Sequence, residues 1–183
     1  MIPAVFDTLK VLIVDGKRAN ARVLQGILNS VGIREIVILD NSESALEELR
    51  VNVFDAVFCD EESAPLNPAA FARAVRKDPT NRSHRVPIIL LSGAPQRRQV
   101  EIARDCGIND FLALPLSVNT VRKKLESVLF APKRFVMTDV FAGPDRRRRG
   151  APPPADAEKK ASAEGEARQW TRRASDSESD ASR

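Results

Sequence analysis

The sequence predicts a doubly wound α/β domain followed by a long polar extension. Five short apolar runs alternate with five stretches of helical periodicity, which is typical of a parallel sheet covered by helices on both faces. The third apolar run ends at Asp60 and the first ends at Asp15, so two strands carry a carboxylate at their ends. Beyond residue 130 the apolar periodicity stops. We therefore expect an α/β domain over residues 8–130 and an extension over residues 131–183.

Short apolar runs rich in Val, Ile and Phe predict strands that are buried on both faces. Gly16 breaks the chain after the first run, Ser92 and Gly93 follow the fourth, and Pro115 follows the fifth. The predicted strands cover residues 10–15, 35–39, 54–60, 86–91 and 110–114.

Apolar residues three or four positions apart predict the helices between these strands. Gly32 is a good stop for the first helix. Asn41 or Ser42 can cap the second, Pro68 occupies the favoured first position of the third, and Ser117 caps the fifth. The predicted helices cover residues 18–31, 43–50, 68–77, 96–105 and 117–130.

Composition excludes several function classes. The chain has 183 residues, of which 43% are hydrophobic, and a formal charge of +4. His84 is the single histidine, expected in an exposed loop, so histidine-based triads and histidine-rich metal sites are excluded. Cys59 and Cys106 are expected to be small core residues. No apolar run approaches the roughly 18 residues of a membrane span, and no activated nucleophile is visible, so we expect a cytoplasmic protein without membrane insertion or enzymatic activity.

The residues at the strand ends resemble those of a known family. Asp15, Asp60, Ser92 and Pro115, in this order and at these positions, are similar to the receiver domains of bacterial response regulators of the chemotaxis type, over about residues 8–130. The resemblance implies a flavodoxin-like, five-stranded parallel sheet in the order 2-1-3-4-5. It also implies that Asp60 accepts a phosphoryl group from a histidine kinase, that Asp15 and Asp60 hold Mg²⁺, and that Ser92 contacts the phosphoryl oxygens.

Two positions depart from the family pattern. Gly16 stands where the family has a second acid, and Leu114 stands where it has a lysine before the proline. Phosphoryl transfer relies on charge neutralisation by a metal and a cation, so a vestigial pocket is an alternative to phosphorylation of Asp60. Glu61 and Glu62 are candidates to replace the missing metal ligand.

The extension is predicted to be largely disordered, because its hydrophobicity is low. Its candidate ligand-binding residues form two groups, Asp145 with Arg146, Arg147, Arg148 and Arg149, and Trp170 with Arg168, Arg172, Arg173 and Asp176. Arginine binds phosphate and the guanine edge bidentately, a carboxylate accepts hydrogen bonds from guanine, and tryptophan stacks on bases. Together they suit a ligand with guanines and phosphates, such as cyclic di-GMP.

A receiver with an arginine-rich carboxyl-terminal extension is similar to the Cle class of cyclic di-GMP effectors. The resemblance implies that the extension binds the dinucleotide and that the receiver docks on the flagellar motor switch, with recruitment to the motor at the cell pole. Two alternatives stay open. One is a single-domain regulator switched by phosphorylation of Asp60, and the other is nucleic-acid binding by the basic tail.

Overall fold

The structure is a computed structural model, and it describes residues 6–77, 83–93, 97–138 and 141–145. In chain order the elements are β1 Lys10–Val14, α1 Arg18–Val31, β2 Glu35–Leu39, α2 Ser42–Val51, β3 Ala56–Asp60, α3 Pro68–Lys77, β4 Ile88–Ser92, α4 Arg97–Asp105, β5 Asp110–Ala113, α5 Val118–Phe130, β6 Phe135–Met137 and β7 Ala142–Pro144.

The main sheet has five parallel strands in the order β2-β1-β3-β4-β5, which confirms the predicted fold class. Local caps explain two of the helix starts. The Asn41 side chain accepts a hydrogen bond from the Ser44 amide, so Asn41 rather than Ser42 caps α2. Ser117 and Thr120 form a reciprocal capping box at the start of α5.

Two apolar layers, one on each face of the sheet, form the core. Alternate residues of a strand point to opposite faces, so Val11 and Ile13 pack with α1 and α5 while Leu12 and Val14 pack with α2, α3 and α4. Cys59 and Cys106 are both buried and free, as predicted for small core residues. Covering both faces fixes the strand ends relative to one another, which positions the carboxylates described below.

Residues 131–138 and 141–145 do not behave as part of a disordered tail. β6 and β7 pair in antiparallel register, and the Asp145 amide donates to the Arg134 carbonyl at 2.6 Å to close the hairpin. The hairpin packs against α3 and belongs to the same compact unit as the sheet. The expectation of disorder is therefore wrong for this segment, because a short run of apolar residues beginning at Phe135 finds a surface on the receiver. Residues 146–183 lie outside the described residues.

A buried arginine forms the surface that receives the hairpin. Arg76 is only 2% exposed, and its guanidinium donates to the carbonyls of His84, Val86 and Gly107 and to Oδ1 of Asn109, at 2.7 to 3.2 Å. Burial lowers the pKa of Arg76 to about 9, which leaves the group charged at neutral pH.

The aromatic ring of the hairpin covers this guanidinium. The Phe135 ring centroid lies 5.6 Å from Cζ of Arg76 and 5.4 Å from Cζ of Arg85, which are cation–π distances. His84 packs edge-on against the same ring at 6.1 Å and is half-buried, so the expectation of an exposed loop histidine is wrong. The first part of the extension is therefore packed against the receiver through Phe135.

Gly143 should be essential for this docking. A Cβ atom at Gly143 would lie 2.6 Å from Cα of Gly107 and 3.0 Å from the Phe141 ring. We expect Gly143→Ala to push the hairpin away from the receiver, to raise amide exchange over residues 135–145 and to cost about 1–3 kcal/mol of unfolding free energy. The measurements are hydrogen exchange and urea unfolding of the full chain. Gly26→Ala is the control, because a Cβ at Gly26 meets nothing within 4 Å. Unchanged exchange in the hairpin of Gly143→Ala would contradict the packing.

Candidate functional site

The acidic cleft lies at the carboxyl edge of the sheet, between β1 and β3. These strands are hydrogen-bonded neighbours, so Asp15, directly after β1, and Asp60, the last residue of β3, come together as predicted. Asp15 is 1% exposed and Asp60 is 7% exposed. Crevices at the carboxyl ends of parallel strands are where open α/β sheets bind ligands.

Backbone amides from the adjoining loops hold both carboxylates. The Lys17 amide donates to Oδ1 of Asp15 at 2.7 Å, and the Glu62 amide donates to Oδ2 of Asp60 at 3.1 Å. The Lys17 ammonium forms an ion pair with the Glu62 carboxylate across the mouth of the cleft. This pairing raises the pKa of Lys17, with smaller contributions from Asp60 and Asp15. Lys17 is therefore a cation at the acidic cleft, held there by its pairing with Glu62.

Ser92 lies at the end of β4, where the sequence placed it. Its hydroxyl is almost fully buried and donates to Oε2 of Glu61 at 2.8 Å. Glu61 directly follows Asp60, so this bond joins the carboxyl ends of the neighbouring strands β3 and β4.

The rest of the cleft wall is largely apolar. A cavity of about 190 Å³ is lined by Asp15, Asn20, Val23, Asp60, Leu91, Leu114, Pro115 and Leu116. Leu114 is 38% exposed. The position for which the family resemblance implies a lysine thus presents a hydrocarbon side chain. An added phosphoryl group would find no cation among the residues that line this cavity.

The buried carboxylate of Asp15 should make stability depend on pH. Burial raises its pKa above the ordinary 3.8, and the nearby charge of Asp60 adds to the shift. Below the ordinary pKa both folded and unfolded states are protonated, so there is no penalty. As pH rises from the ordinary pKa to the folded-state pKa, the unfolded chain loses this proton more readily than the folded protein does, so stability falls, and above the folded-state pKa the full penalty remains.

Asp15→Asn is therefore expected to raise unfolding free energy at pH 7, with the gain shrinking as pH falls toward 4. Urea unfolding of both proteins across this range is the measurement. Asp40→Asn, at an exposed carboxylate, is the control and should change little. A loss of stability at pH 7 in Asp15→Asn would contradict the inference that the buried charge of Asp15 destabilises the fold.

The residues present do not fit a resident Mg²⁺. Oδ2 of Asp15 is buried without a hydrogen-bond partner among the described residues, which is the kind of atom a cation could serve. However, the described part of the chain contains no group of three or more His, Cys, Asp or Glu residues arranged to hold a metal. Gly16 supplies no carboxylate, and the Glu62 carboxylate is already paired with the Lys17 ammonium. The expectation that Asp15 and Asp60 hold Mg²⁺ is not supported by this donor set.

Of the predicted ligand-binding residues, only Asp145 lies within the described residues. It closes the hairpin and lines a groove of about 80 Å³ with Arg104, Ile108, Asn109, Lys133 and Pro144. The remaining candidates, Arg146, Arg147, Arg148, Arg149, Arg168, Trp170, Arg172, Arg173 and Asp176, lie outside the described residues.

Sequence reasoning missed two residues that organise these sites. Arg76 continues the buried face of α3, since Pro68, Phe71, Ala72, Val75 and Arg76 are all buried. A charged residue on that helical stripe was the available signal. Lys17 had no comparable signal, because its side chain is exposed to solvent like that of most lysines and only its pairing with Glu62 connects it to the cleft.

Comparison with known proteins agrees with this geometry. The sequence profile of the response regulator receiver domain matches residues 11–126. The chain is 25% identical over 120 residues to the chemotaxis protein CheY of Pseudomonas aeruginosa, covering 66% of this chain and 95% of that protein. It is 25% identical over 130 residues to a probable chemotaxis protein CheY of Rhizobium etli, covering 71% of this chain and 99% of that one.

Solved structures show the same fold. The Vibrio cholerae chemotaxis response regulator CheY4 superposes with a TM-score of 0.60 at 23% identity, covering 66% of this chain and 98% of that chain. The receiver domain of a Pseudomonas aeruginosa sensor histidine kinase, solved with magnesium in its active-site cleft, gives a TM-score of 0.60 at 24% identity, covering 67% and 98%.

Among the described residues, no helix has the length and apolar character needed to cross a membrane. The family profile matches more than half of the chain, and the strand order and the acidic cleft are those expected from it. The chain therefore belongs to the response regulator receiver domain family.

Proposed function

We propose that this protein is a non-enzymatic, cytoplasmic signalling adaptor that binds cyclic di-GMP through its arginine-rich extension and docks on the flagellar motor switch to tune motility. Receiver domains are generally non-enzymatic modules of two-component signalling, and those of the chemotaxis type interact with histidine kinases and motor switch proteins. This chain differs from such receivers in its proposed input signal, which is a dinucleotide rather than a phosphoryl group.

The anchored hairpin carries this proposal. It holds the chain against α3 and Arg76 as far as Asp145, and the block Arg146–Arg149 follows at once in the sequence. Arg104 and Lys133 line the groove beside Asp145, so this groove carries basic side chains of the receiver. A binding segment tethered at one end loses less conformational freedom on capture than a free one.

The altered cleft also favours input through the extension. Efficient phosphoryl transfer depends on metal and cation neutralisation, and here Gly16 and Leu114 remove two of the expected groups. The specific observation that favours the alternative, phosphorylation of Asp60, is the retained juxtaposition of Asp60 and Asp15 at the strand ends. Under that alternative Asp60→Ala abolishes output, whereas under our proposal it leaves dinucleotide binding intact.

The test is calorimetric titration of cyclic di-GMP into the chain with and without its extension, followed by measurement of binding to a purified motor switch protein with and without the dinucleotide. Ligand binding that requires the extension, and that changes affinity for the switch protein, supports the adaptor. Dinucleotide binding with no effect on the switch protein would limit the function to ligand capture.

A further inference from the structure

One hydrogen bond at the cleft has no place in the phosphorylation chemistry that the family resemblance implies. The resemblance assigns the Ser92 hydroxyl to phosphoryl oxygens, yet it donates instead to a carboxylate oxygen of Glu61 at 2.8 Å. Ser92 is 3% exposed and Glu61 is half-buried, so this contact is largely shielded from water. A hydroxyl bound to an ionised acceptor makes a stronger bond than a neutral pair does.

The positive charge that the cleft requires is also supplied by the chain. The Lys17 ammonium pairs with the Glu62 carboxylate, and Lys17 also contacts Asp15 through its backbone amide. The backbone amides of Lys17 and Glu62 satisfy one oxygen of each aspartate. These contacts join the loop after β1 to the loop after β3. The hydrogen bond from Ser92 to Glu61 connects the same loop to the end of β4.

We propose that the cleft is self-liganded: Glu61 occupies the hydrogen-bonding role of an added phosphoryl group at Ser92, and Lys17 provides the resident cation. The ends of β3 and β4 are then held in one arrangement without a metal or a phosphoryl donor. This inference does not depend on cyclic di-GMP and stands or falls separately from the proposed function.

Charge gives the physical reason that this arrangement resists modification. Asp15, Asp60, Glu61 and Glu62 bring four carboxylates to the loops at this end of the sheet, and the Lys17 ammonium pairs with one of them, Glu62. An aspartyl phosphate would replace the single charge of Asp60 with roughly two, and this added negative charge would repel the adjacent carboxylates. It would also have to displace Glu61 from Ser92 before it could bind there.

A double-mutant cycle on the full chain tests the Glu61–Ser92 bond. Ser92→Ala and Glu61→Ala are each expected to speed amide exchange over residues 89–93 by roughly tenfold, and the double variant should add little because both changes remove the same bond. Glu61→Gln keeps an uncharged acceptor and should recover part of the protection. Ser92→Ala combined with Glu62→Ala is the matched control and should be additive. Additive effects of the Ser92 and Glu61 changes would overturn the proposal.

A second arm probes the cleft with beryllofluoride and Mg²⁺, which stand in for a phosphoryl group and its metal. The wild-type chain is expected to show no change in exchange over residues 60–63 and 89–93. Intact-mass measurement after incubation with acetyl phosphate and Mg²⁺ should find Asp60 unmodified. Protection that changes with beryllofluoride, or stoichiometric modification by acetyl phosphate, would show that the cleft still accepts the group and would overturn the proposal.

Discussion

Cyclic di-GMP titrated into the full chain is expected to bind with micromolar or tighter affinity, about −8 kcal/mol. Ordering a disordered segment costs about 2–5 kcal/mol, and each hydrogen bond to a charged group contributes about 1.5–3 kcal/mol. Several arginine contacts from the two groups can therefore exceed the ordering cost. Isothermal titration calorimetry measures the affinity directly.

The truncation that tests this result should end at Asp145 rather than at Phe130. Ending at Phe130 would strip the hairpin from Arg76 and confuse loss of ligand contacts with damage to the receiver. We expect the chain ending at Asp145 to fold with the hairpin in place and to lose at least tenfold in affinity. Replacing Arg146–Arg149 by alanine, and separately Arg168, Arg172 and Arg173, assigns the contribution of each group.

Titration of a second cyclic dinucleotide is the control for recognition of guanine. Cyclic di-AMP carries the same phosphates without the guanine edge, so it should bind much more weakly if arginine and carboxylate groups read guanine. Equal binding of both dinucleotides, with steep salt dependence, would favour the nucleic-acid alternative. Undiminished binding by the chain ending at Asp145 would place the site on the receiver, and no binding by the full chain would refute the cyclic di-GMP proposal.

Replacing Arg76 by methionine is expected to cost about 2–4 kcal/mol of unfolding free energy. Methionine keeps much of the volume but leaves the carbonyls of His84, Val86 and Gly107 without their donor, and each buried unsatisfied acceptor costs about 1–3 kcal/mol. Relief from burying a charge offsets part of this cost. The hairpin loses its cation–π support at the same time, so amide exchange over residues 135–145 should rise.

Urea unfolding of the full chain measures the change. Arg73→Met, one turn earlier on the exposed face of the same helix, is the matched control and should lie within about 0.5 kcal/mol of the wild type. Arg76→Lys should recover only part of the loss, since an ammonium cannot reach acceptors spread around a planar fork. An Arg76→Met protein as stable as the Arg73→Met protein would contradict the structural role.

The two described sites lie at opposite edges of the sheet. Arg76 contacts residues that precede β4 and β5, whereas Asp60 and Ser92 end β3 and β4. A five-residue strand spans roughly 15 Å, so a ligand held beside the hairpin would not touch the acidic cleft.

Local sequence patterns were enough to predict the elements of the sheet. Apolar runs and helical periods predicted the five parallel strands, and the carboxylates at two strand ends predicted that Asp15 and Asp60 would meet at one edge. The strand order and the interest of Ser92, Gly16 and Leu114 came from the resemblance to receiver domains, because periodicity alone does not say which strands are neighbours.

How the charged and polar side chains are paired could be seen in the three-dimensional structure alone. The hydrogen bond of Ser92 to Glu61, the ion pair of Lys17 with Glu62, and the burial of Arg76 under Phe135 all join residues distant in sequence. A hydrogen bond or cation–π contact depends on distance and direction in space. Composition and periodicity carry no information about either. The folding of residues 135–145 onto the receiver has the same cause, because a short apolar segment becomes ordered only when a complementary surface exists to bury it.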